Sequence, residues 1–349
     1  MAYTTINKQT DHFNTKLFTG TGSTNAQTGV GFQPDMVWFK NRSEVYSHQL
    51  YDVVRGVTKR ILPDVTTAEE TDANGLTAFG TDGFTVGSNV GINKSSNNIV
   101  AWNWKAGGGQ GSSNTDGSIN TTYTSVNTTA GFSISQYTGN GTYQATVGHG
   151  LGAVPKMIIV KGTSFSREWV VYHESMGNTK NMHLNDNSAQ ATEPTWGNTT
   201  PTNQVFTISG ASQANWYDTN KPSETYIAYC FAEKQGYSKF GSYTGNGNAD
   251  GTFVYTGFKP AFVITKKSSG TDEWNINDTT RDSYSNPLDA NLLANTSAAE
   301  SDHDRFDAVS NGFKMRTDSG QYNASGSTYI YMAFGQSLVG SNNVPCTAR

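Results

Sequence analysis

Cysteine, charge and long apolar runs are all scarce in this chain. Of 349 residues only two are cysteine and six histidine, 15% are charged and 35% are hydrophobic. Cys230 lies in an apolar run and Cys346 lies three residues from the C-terminus, so neither founds a disulfide framework and no disulfide is expected. No apolar run approaches the roughly 18–20 residues of a membrane span. The opening Met1-Ala2-Tyr3-Thr4-Thr5 lacks the basic and apolar regions of a signal peptide. With 24 Lys+Arg against 28 Asp+Glu, the chain is a poor general binder of nucleic acid. Disorder is excluded too, because low charge combined with 12% aromatics is the reverse of a disordered composition. What fills the space is Gly, Asn, Ser and Thr, at 37, 33, 33 and 45 residues respectively.

Compared with itself, the chain reads alike three times. The segments open with Leu17-Phe18-Thr19-Gly20-Thr21-Gly22, Gln136-Tyr137-Thr138-Gly139-Asn140-Gly141 and Ser242-Tyr243-Thr244-Gly245-Asn246-Gly247. A proline follows the aromatic after 16, 18 and 17 residues (Pro34, Pro155, Pro260), and six residues later an apolar run ends at Lys40, Lys161 or Lys266. Eight residues further stand His48, Trp169 and Trp274, and four beyond them Asp52, His173 and Asp278. The segments close with Ile99–Trp104, Tyr226–Phe231 and Tyr329–Phe334. Fixed spacing between several anchors defines one unit, present at about 13–106, 131–234 and 238–337.

Short apolar runs bounded by Gly, Asn, Asp, Ser and Thr mark the unit as mostly β, with prolines at strand entrances. The closing runs alternate. Val100, Trp102 and Trp104, with Ile227, Tyr229, Phe231 and Ile330, Met332, Phe334, form the expected core face. Thr66–Glu69 and Ser297–Glu300 read as capping boxes of one helical turn or two, and Asn187–Gln190 as a weaker version. Residues 107–113 read as a flexible linker, and Asn114–Val126, with Asp116-Gly117 at its centre, as a hairpin. The expected fold is all-β: three tandem antiparallel β-sandwiches of the jelly-roll or lectin-like kind. Their bounds are 1–110, 111–236 (with the leading hairpin) and 237–349.

No residue pattern specifies a reaction. Gly-x-Ser-x-Gly, the P-loop ending and zinc-type spacings are absent. The histidines His12, His48, His149, His173, His183 and His303 read as surface or turn residues, and Asp302-His303-Asp304 as a solvated acidic loop. Asp52/Arg55 and Asp278/Arg281 read as exposed pairs that shape loops. Paired carboxylates are a spatial property and stay open. Cys230 aligns with Asn103 and Ala333, which marks a slot for a small residue. No catalytic residue, metal or cofactor is expected. Where the segments differ, Trp196, Trp216, Tyr217 and Tyr322 are the candidate ligand-binding residues, since loop aromatics can stack on sugars; packing against a neighbouring segment or subunit is the competing reading.

Taken together, the anchors resemble a repeat of structural proteins from tailed bacteriophages, especially those of marine bacteria. The features are the aromatic-Thr-Gly-x-Gly opening, Gly31-Phe32-Gln33-Pro34 and Gly257-Phe258-Lys259-Pro260, the Asp-x-x-Arg turn, the Thr-x-Ala-Glu segment, Asp82-Gly83-Phe84 and Asn311-Gly312-Phe313, and the closing strand. The second segment departs with Gly152-Ala153-Val154-Pro155. The resemblance covers about residues 12–337 and implies a non-enzymatic virion protein assembled in the host cytoplasm: a tail fibre or receptor-binding component. A capsid-bound head fibre or decoration protein is the alternative, and a glycan-degrading tail enzyme a more distant one. Implied partners are other virion proteins, further copies of the chain (a trimer formed through sandwich faces) and a host-surface glycan, with neither nucleic acid nor membrane insertion.

Overall fold

Each proline-led run becomes a strand buried on both faces: Met36–Asn41, Met157–Gly162 and Pro260–Lys267. Beside it lies the closing strand, Asn98–Trp104, Thr225–Phe231 or Thr328–Gly335, and beyond that the opening strand, Phe13–Thr19, Phe132–Thr138 or Ser238–Thr244. On the other side pairs a hairpin partner, Gln49–Asp52, Trp169–His173 or Asn275–Asp278. The order opening, closing, proline-led, hairpin thus occurs three times, always antiparallel. The computed structural model describes residues 4–209 and 217–336 and is nearly all β, with 42% strand and 6% helix in several antiparallel sheets.

The alternation of the closing strands decides where the cores sit. Trp102 and Trp104, Tyr229 and Phe231, and Met332 and Phe334 all enter one buried cluster shared by the three segments. Phe334 lies 5.1 Å from the Phe13 ring, 5.8 Å from Trp104 and 6.2 Å from Phe231. Alternate residues point the opposite way into three separate clusters, with Ala101 in the first, Ala228 and Cys230 in the second, and Tyr331 and Ala333 in the third. Outer strands cover these: Asn25–Thr28 with Gly83–Val86 and Leu76–Gly80, Ala145–Gly148 with Val205–Ile208, and Phe253–Tyr255 with Gly312–Met315. The small-residue slot at Cys230 is therefore buried, and burial pushes the thiol pKa up, away from reactivity.

The recurring polar anchors join the segments in a cycle. The Nζ atoms of Lys40, Lys161 and Lys266 reach the backbone carbonyls of Ser297, Thr66 and Asn187, so the first segment binds the third, the second the first and the third the second. The ring N–H groups at the next anchor follow the same cycle: His48 Nε2 to Leu293 O, Trp169 Nε1 to Leu62 O and Trp274 Nε1 to His183 O. Burial lowers the pKa of all three lysines to about 8, and each is held by at least two carbonyl oxygens.

Several local expectations give way to these contacts. Residues 66–69, 187–190 and 297–300 are not helical, because their backbone bonds across to a neighbouring segment: Glu69 N to Thr163 O, Gln190 N to Ser268 O and Glu300 N to Arg42 O. Single helical turns occur instead before the closing strands, at Val90–Asn93, Tyr217–Asn220 and Gly320–Asn323. The stretch 107–113 is pinned, with Gly107 N on Ser125 Oγ, Gly108 N on Asp35 Oδ2 and Gln110 Nε2 on Val54 O. Asn114–Val126 doubles back, with Thr121 N on Asn114 O and one antiparallel bridge between Ser112 and Thr124, but forms no two-stranded ladder of its own. Tyr123–Asn127 pairs with the opening strand Phe132–Thr138, and Gly117 lies against Thr146, where a Cβ would sit 2.4 Å from a carbonyl oxygen. His48, His149 and His173 are buried, not surface residues. Asp302 belongs to the strand Ser301–Val309, not to a loop, and it and His303 are exposed.

The Asp-x-x-Arg pairs are buried as well. Arg55 and Asp52 are joined at 2.6 Å with side chains 1% and 0% exposed, and Arg281 and Asp278 at 2.5 Å with both at 0%. A pair of this kind is a weak net stabiliser, but removing one partner costs up to about 3–5 kcal/mol, less where the arginine keeps a second carboxylate, as Arg55 does in Glu69 and Arg281 in Glu300.

Candidate functional site

Two of the candidate loop aromatics turn inward. Trp196 is 1% exposed and packs edge-on against Tyr172 at 5.7 Å. Tyr322 is fully buried, its hydroxyl bonded to the side-chain amides of Asn277 at 2.9 Å and Asn291 at 2.8 Å, with the Arg305 guanidinium over its ring. Neither ring offers a face to a ligand, because each fills the outer core of its own segment. Tyr217 is half-buried, and its carbonyl accepts from the Tyr226 hydroxyl at 2.5 Å. Trp216 lies outside the described residues. Trp196 and Tyr322 lie in different cores, so the described residues of this set do not form one site.

A different place stands out, where the third segment is longer than the others. Nine positions separate Asp52 from Ile61 and His173 from Met182, whereas fourteen separate the equivalent Asp278 and Leu292. The extra length forms a turn over residues 282–287, ahead of the strand Leu288–Leu293, and this turn closes on itself. Asp282 O accepts from Ser285 N at 3.0 Å and from Ser285 Oγ at 2.7 Å, and the Asn286 side chain brackets the backbone of Ala308. Ser283 and Tyr284 take left-handed backbone at φ 52° and 62°.

This turn borders a polar cleft of about 430 Å³ at the join of the first and third segments. Four carboxylates line it, Asp282, Asp289, Glu300 and Asp302, against two arginines, Arg42 and Arg281. Glu300 is committed to both arginines, at 2.5 Å to Arg42 Nη2 and 2.7 Å to Arg281 Nη1. Asp282 is only 9% exposed. Its Oδ1 accepts from Ala290 N at 3.0 Å and Asp289 N at 3.3 Å, while Oδ2 is buried and receives no hydrogen bond. Burial, followed by the facing Asp289 carboxyl, pushes the Asp282 pKa up to about 7. A second, larger cleft of about 670 Å³ opens beside the same turn and is lined by Asp250, Asn286, Pro287, Asp307 and Arg316. The arrangement is rich in carboxylate oxygen. The sequence signal that could have found it was the length difference between equivalent anchors, since the individual Asp residues match no motif.

One further cluster has metal-ligating character. Glu168, His183 and Asp186 offer ligand atoms within 4.8 Å of one another. Each also has a protein partner: Asn185 Nδ2 on Glu168 at 2.5 Å, and Asp186 Oδ2 on His183 Nδ1 at 3.2 Å. Burial lowers the His183 pKa, but Asp186, Glu168 and Asp218 outweigh it and leave the imidazole above its ordinary range. Glu168 has an equivalent in Glu273, whose Asn295 partner matches Asn185, so this carboxylate shapes the hairpin in two segments. His183 and Asp186 replace Leu62 and Val65, or Leu293 and Thr296, and form an ion pair found only in the second segment among the described residues.

A search of the curated proteins and a search of the solved structures found no match. A single family model, by contrast, spans all three segments at once, as suits units that share one core. The chain belongs to the family described as Domain of unknown function (DUF7483), whose model matches residues 8–337.

Proposed function

We propose that the chain is a non-enzymatic structural protein of a bacteriophage virion, acting as a tail fibre or receptor-binding component. In this reading it is three β-sandwich repeats closed into one rigid body. The observation that carries it is the cycle of buried contacts: the polar residues that recur in every repeat, Lys40/Lys161/Lys266 and His48/Trp169/Trp274, hold the repeats to one another. Recurring chemistry that is buried in joints suits a scaffold exposed to mechanical or chemical stress, with recognition left to the loops that differ. Multivalent display on a particle would multiply weak contacts to a host-surface glycan.

A capsid-bound decoration role is the second reading, and one observation favours it. The faces expected to make a homotrimer are already buried inside the chain. A single copy therefore presents an approximately three-fold shape without partners, which suits a three-fold position on a shell. A trimeric fibre would have to assemble through other faces.

Immunogold labelling of whole virions with antibody to the purified chain separates the readings. Label at the tail supports the first, and label spread over the shell supports the second. Particles that carry no label, with the protein found free in the lysate, overturn both. Oligosaccharide release from host polysaccharide by the purified chain would overturn the non-enzymatic assignment.

A further inference from the structure

We propose that the outer edge of the strand Phe13–Thr19 is a docking site for an extended strand of another polypeptide, one that carries a carboxylate opposite Lys16. The second segment contains a counterpart of such an occupant. There the equivalent strand Phe132–Thr138 is paired on both sides, with the closing strand Thr225–Phe231 on one and Tyr123–Asn127 on the other. In the first segment Phe13–Thr19 pairs with its closing strand and ends the sheet, with no strand on its outer side among the described residues. Ser133 and Ser135 are fully buried beside the added strand, whereas the matching Asn14 and Lys16 are half-buried, as are Thr15, Leu17 and Phe18.

Register locates the unpaired backbone groups. Lys105 N donates to His12 O, and bonding to the closing strand alternates from there, so the even-numbered residues bond inward. Thr15 and Leu17 therefore turn their N–H and C=O groups outward, as Ile134 and Gln136 do toward Ser125 and Tyr123 in the second segment. An open row of this kind is a template for one more strand.

A second observation lies at the same edge. Residues 107–110 precede Tyr123–Asn127 in the chain and line the join of the first and second segments, with Gly108 N on Asp35 Oδ2 and Gln110 Nε2 on Val54 O. The residues equivalent to Asp35 and Val54 in the third segment are Ala261 and Thr280. These two line a cleft of about 200 Å³ at the join with the first segment, and Phe13, Asn14 and Thr15 line it too. Tyr284, an exposed ring, flanks it. The cleft is thus continuous with an interface between segments, and cleft and edge together follow the path that the chain itself takes beside its second segment.

Side chains define the occupant. In the second segment Tyr123 stands opposite Gln136, Thr124 opposite Ser135 and Val126 opposite Ser133, with the Thr124 and Ser135 hydroxyls 3.1 Å apart. Carried to the first segment, the same register sets these positions opposite Leu17, Lys16 and Asn14. Leu17 packs against the shared core and offers its flank to an aromatic or aliphatic side chain. Lys16 calls for Asp or Glu, because opposite charges across an antiparallel pair are favourable and like charges are not. For the same reason a second copy of this edge is a poor partner in the register centred on Lys16, where the lysine would face itself.

The test uses the full chain and a synthetic peptide of residues 121–129 carrying Thr124→Glu, titrated to millimolar concentration and followed by calorimetry and amide hydrogen exchange. Bound peptide should slow exchange at Thr15 and Leu17 about tenfold or more at saturation. The same peptide with Thr124→Lys should bind about three- to tenfold more weakly, and Lys16→Gln in the protein should remove that difference. Thr15→Pro loses an outward N–H, a change that edge strands tolerate, and should weaken binding about tenfold or more while Tm shows the protein folded. No slowing of exchange at millimolar peptide would overturn the proposal, as would equal binding by wild type and Thr15→Pro, or by the Glu and Lys peptides. Self-association of the chain that Thr15→Pro abolishes would also overturn it, since the edge would then belong to a second copy.

Discussion

Tyr229 and Asp52 stand 177 positions apart, yet the Tyr229 hydroxyl donates to Asp52 Oδ2 at 2.6 Å in the buried centre of the molecule. The same contact recurs one step round the cycle, where Trp102 Nε1 donates to Asp278 Oδ2 at 3.0 Å. At the third join the pattern inverts. Met332 has no donor, and the position facing it is His173, whose Nε2 donates instead to the carbonyl of Tyr331 at 3.1 Å. Each join therefore matches a donor with an acceptor, by a different choice of residues.

This matching predicts unequal costs at one contact. Tyr229→Phe removes a hydrogen bond but leaves Asp52 paired with Arg55, so the expected loss is about 1–3 kcal/mol. Asp52→Ala removes the acceptor of both Tyr229 and Arg55 and leaves the buried Arg55 with Glu69 at 3.3 Å as its carboxylate, so it should lose more, up to about 3–5 kcal/mol. Urea unfolding of both variants checks the order; equal losses would deny the buried pair its role.

At the inverted join, His173→Asp should be destabilising by about 3–5 kcal/mol, because a carboxylate would face a carbonyl oxygen with no donor. Adding Met332→Tyr restores the donor found at Tyr229. The double variant should recover part of the loss, with a coupling of about 0.5–3 kcal/mol. A double-mutant cycle with no coupling would show that the two positions do not meet as described.

Acid should weaken the protein through the buried histidines. His48 accepts from Trp38 Nε1 at Nδ1 and donates from Nε2 to Leu293 O, so only the neutral ring fits. Burial drives its pKa well down, and that of His173 to about 4. An unfolded imidazole takes its proton near pH 6.5, so between about 6.5 and 4 the unfolded state holds more protons. Unfolding free energy should then fall as pH falls through that window, by on the order of 3 kcal/mol for His173. His173→Gln keeps a donor and does not titrate. Its stability should fall less steeply from pH 6.5 to 4, as chemical denaturation at each pH would reveal.

The opening turns need glycine for reasons of space. A Cβ at Gly20 would lie 2.1 Å from Lys94 O, and at the matching Gly139 and Gly245 2.3 Å from Lys221 O and Ala324 O. Gly20→Ala should therefore unfold or severely weaken the first segment. Gly109→Ala, with ordinary φ and nothing within 4 Å, should be neutral or gain up to about 1 kcal/mol. Calorimetric Tm values for the two variants test the contrast.

Much of the fold was legible because its signals are local. Period-two alternation in Val100, Trp102 and Trp104 announces a strand with one bulky face, and prolines mark strand entrances whatever lies beyond them. Repetition of the anchors revealed the unit but not its strand order, which is set by pairing between strands far apart in the chain. Less legible were the residues whose meaning depends on a neighbour distant in sequence. Asp52 and Arg55 read as an exposed pair, since nothing near them in the chain announces that Tyr229 covers them. Thr66–Glu69 has the spacing of a capping box, but its backbone finds a partner across the segment join and forms no helix.

By itself, then, the sequence determined an all-β chain, a unit read three times, and the alternating faces of its strands, because periodicity and turn chemistry act over a few residues. Only the tertiary structure decided that the bulky faces meet in one shared core, that the recurring Lys, His, Trp and Asp anchors are joints between segments, and that Trp196 and Tyr322 are packing residues. It also placed Asp282 beside Asp289 in a cleft at a segment join. Burial and the identity of a partner are set by closure of the whole chain, and closure is encoded in no single stretch of it.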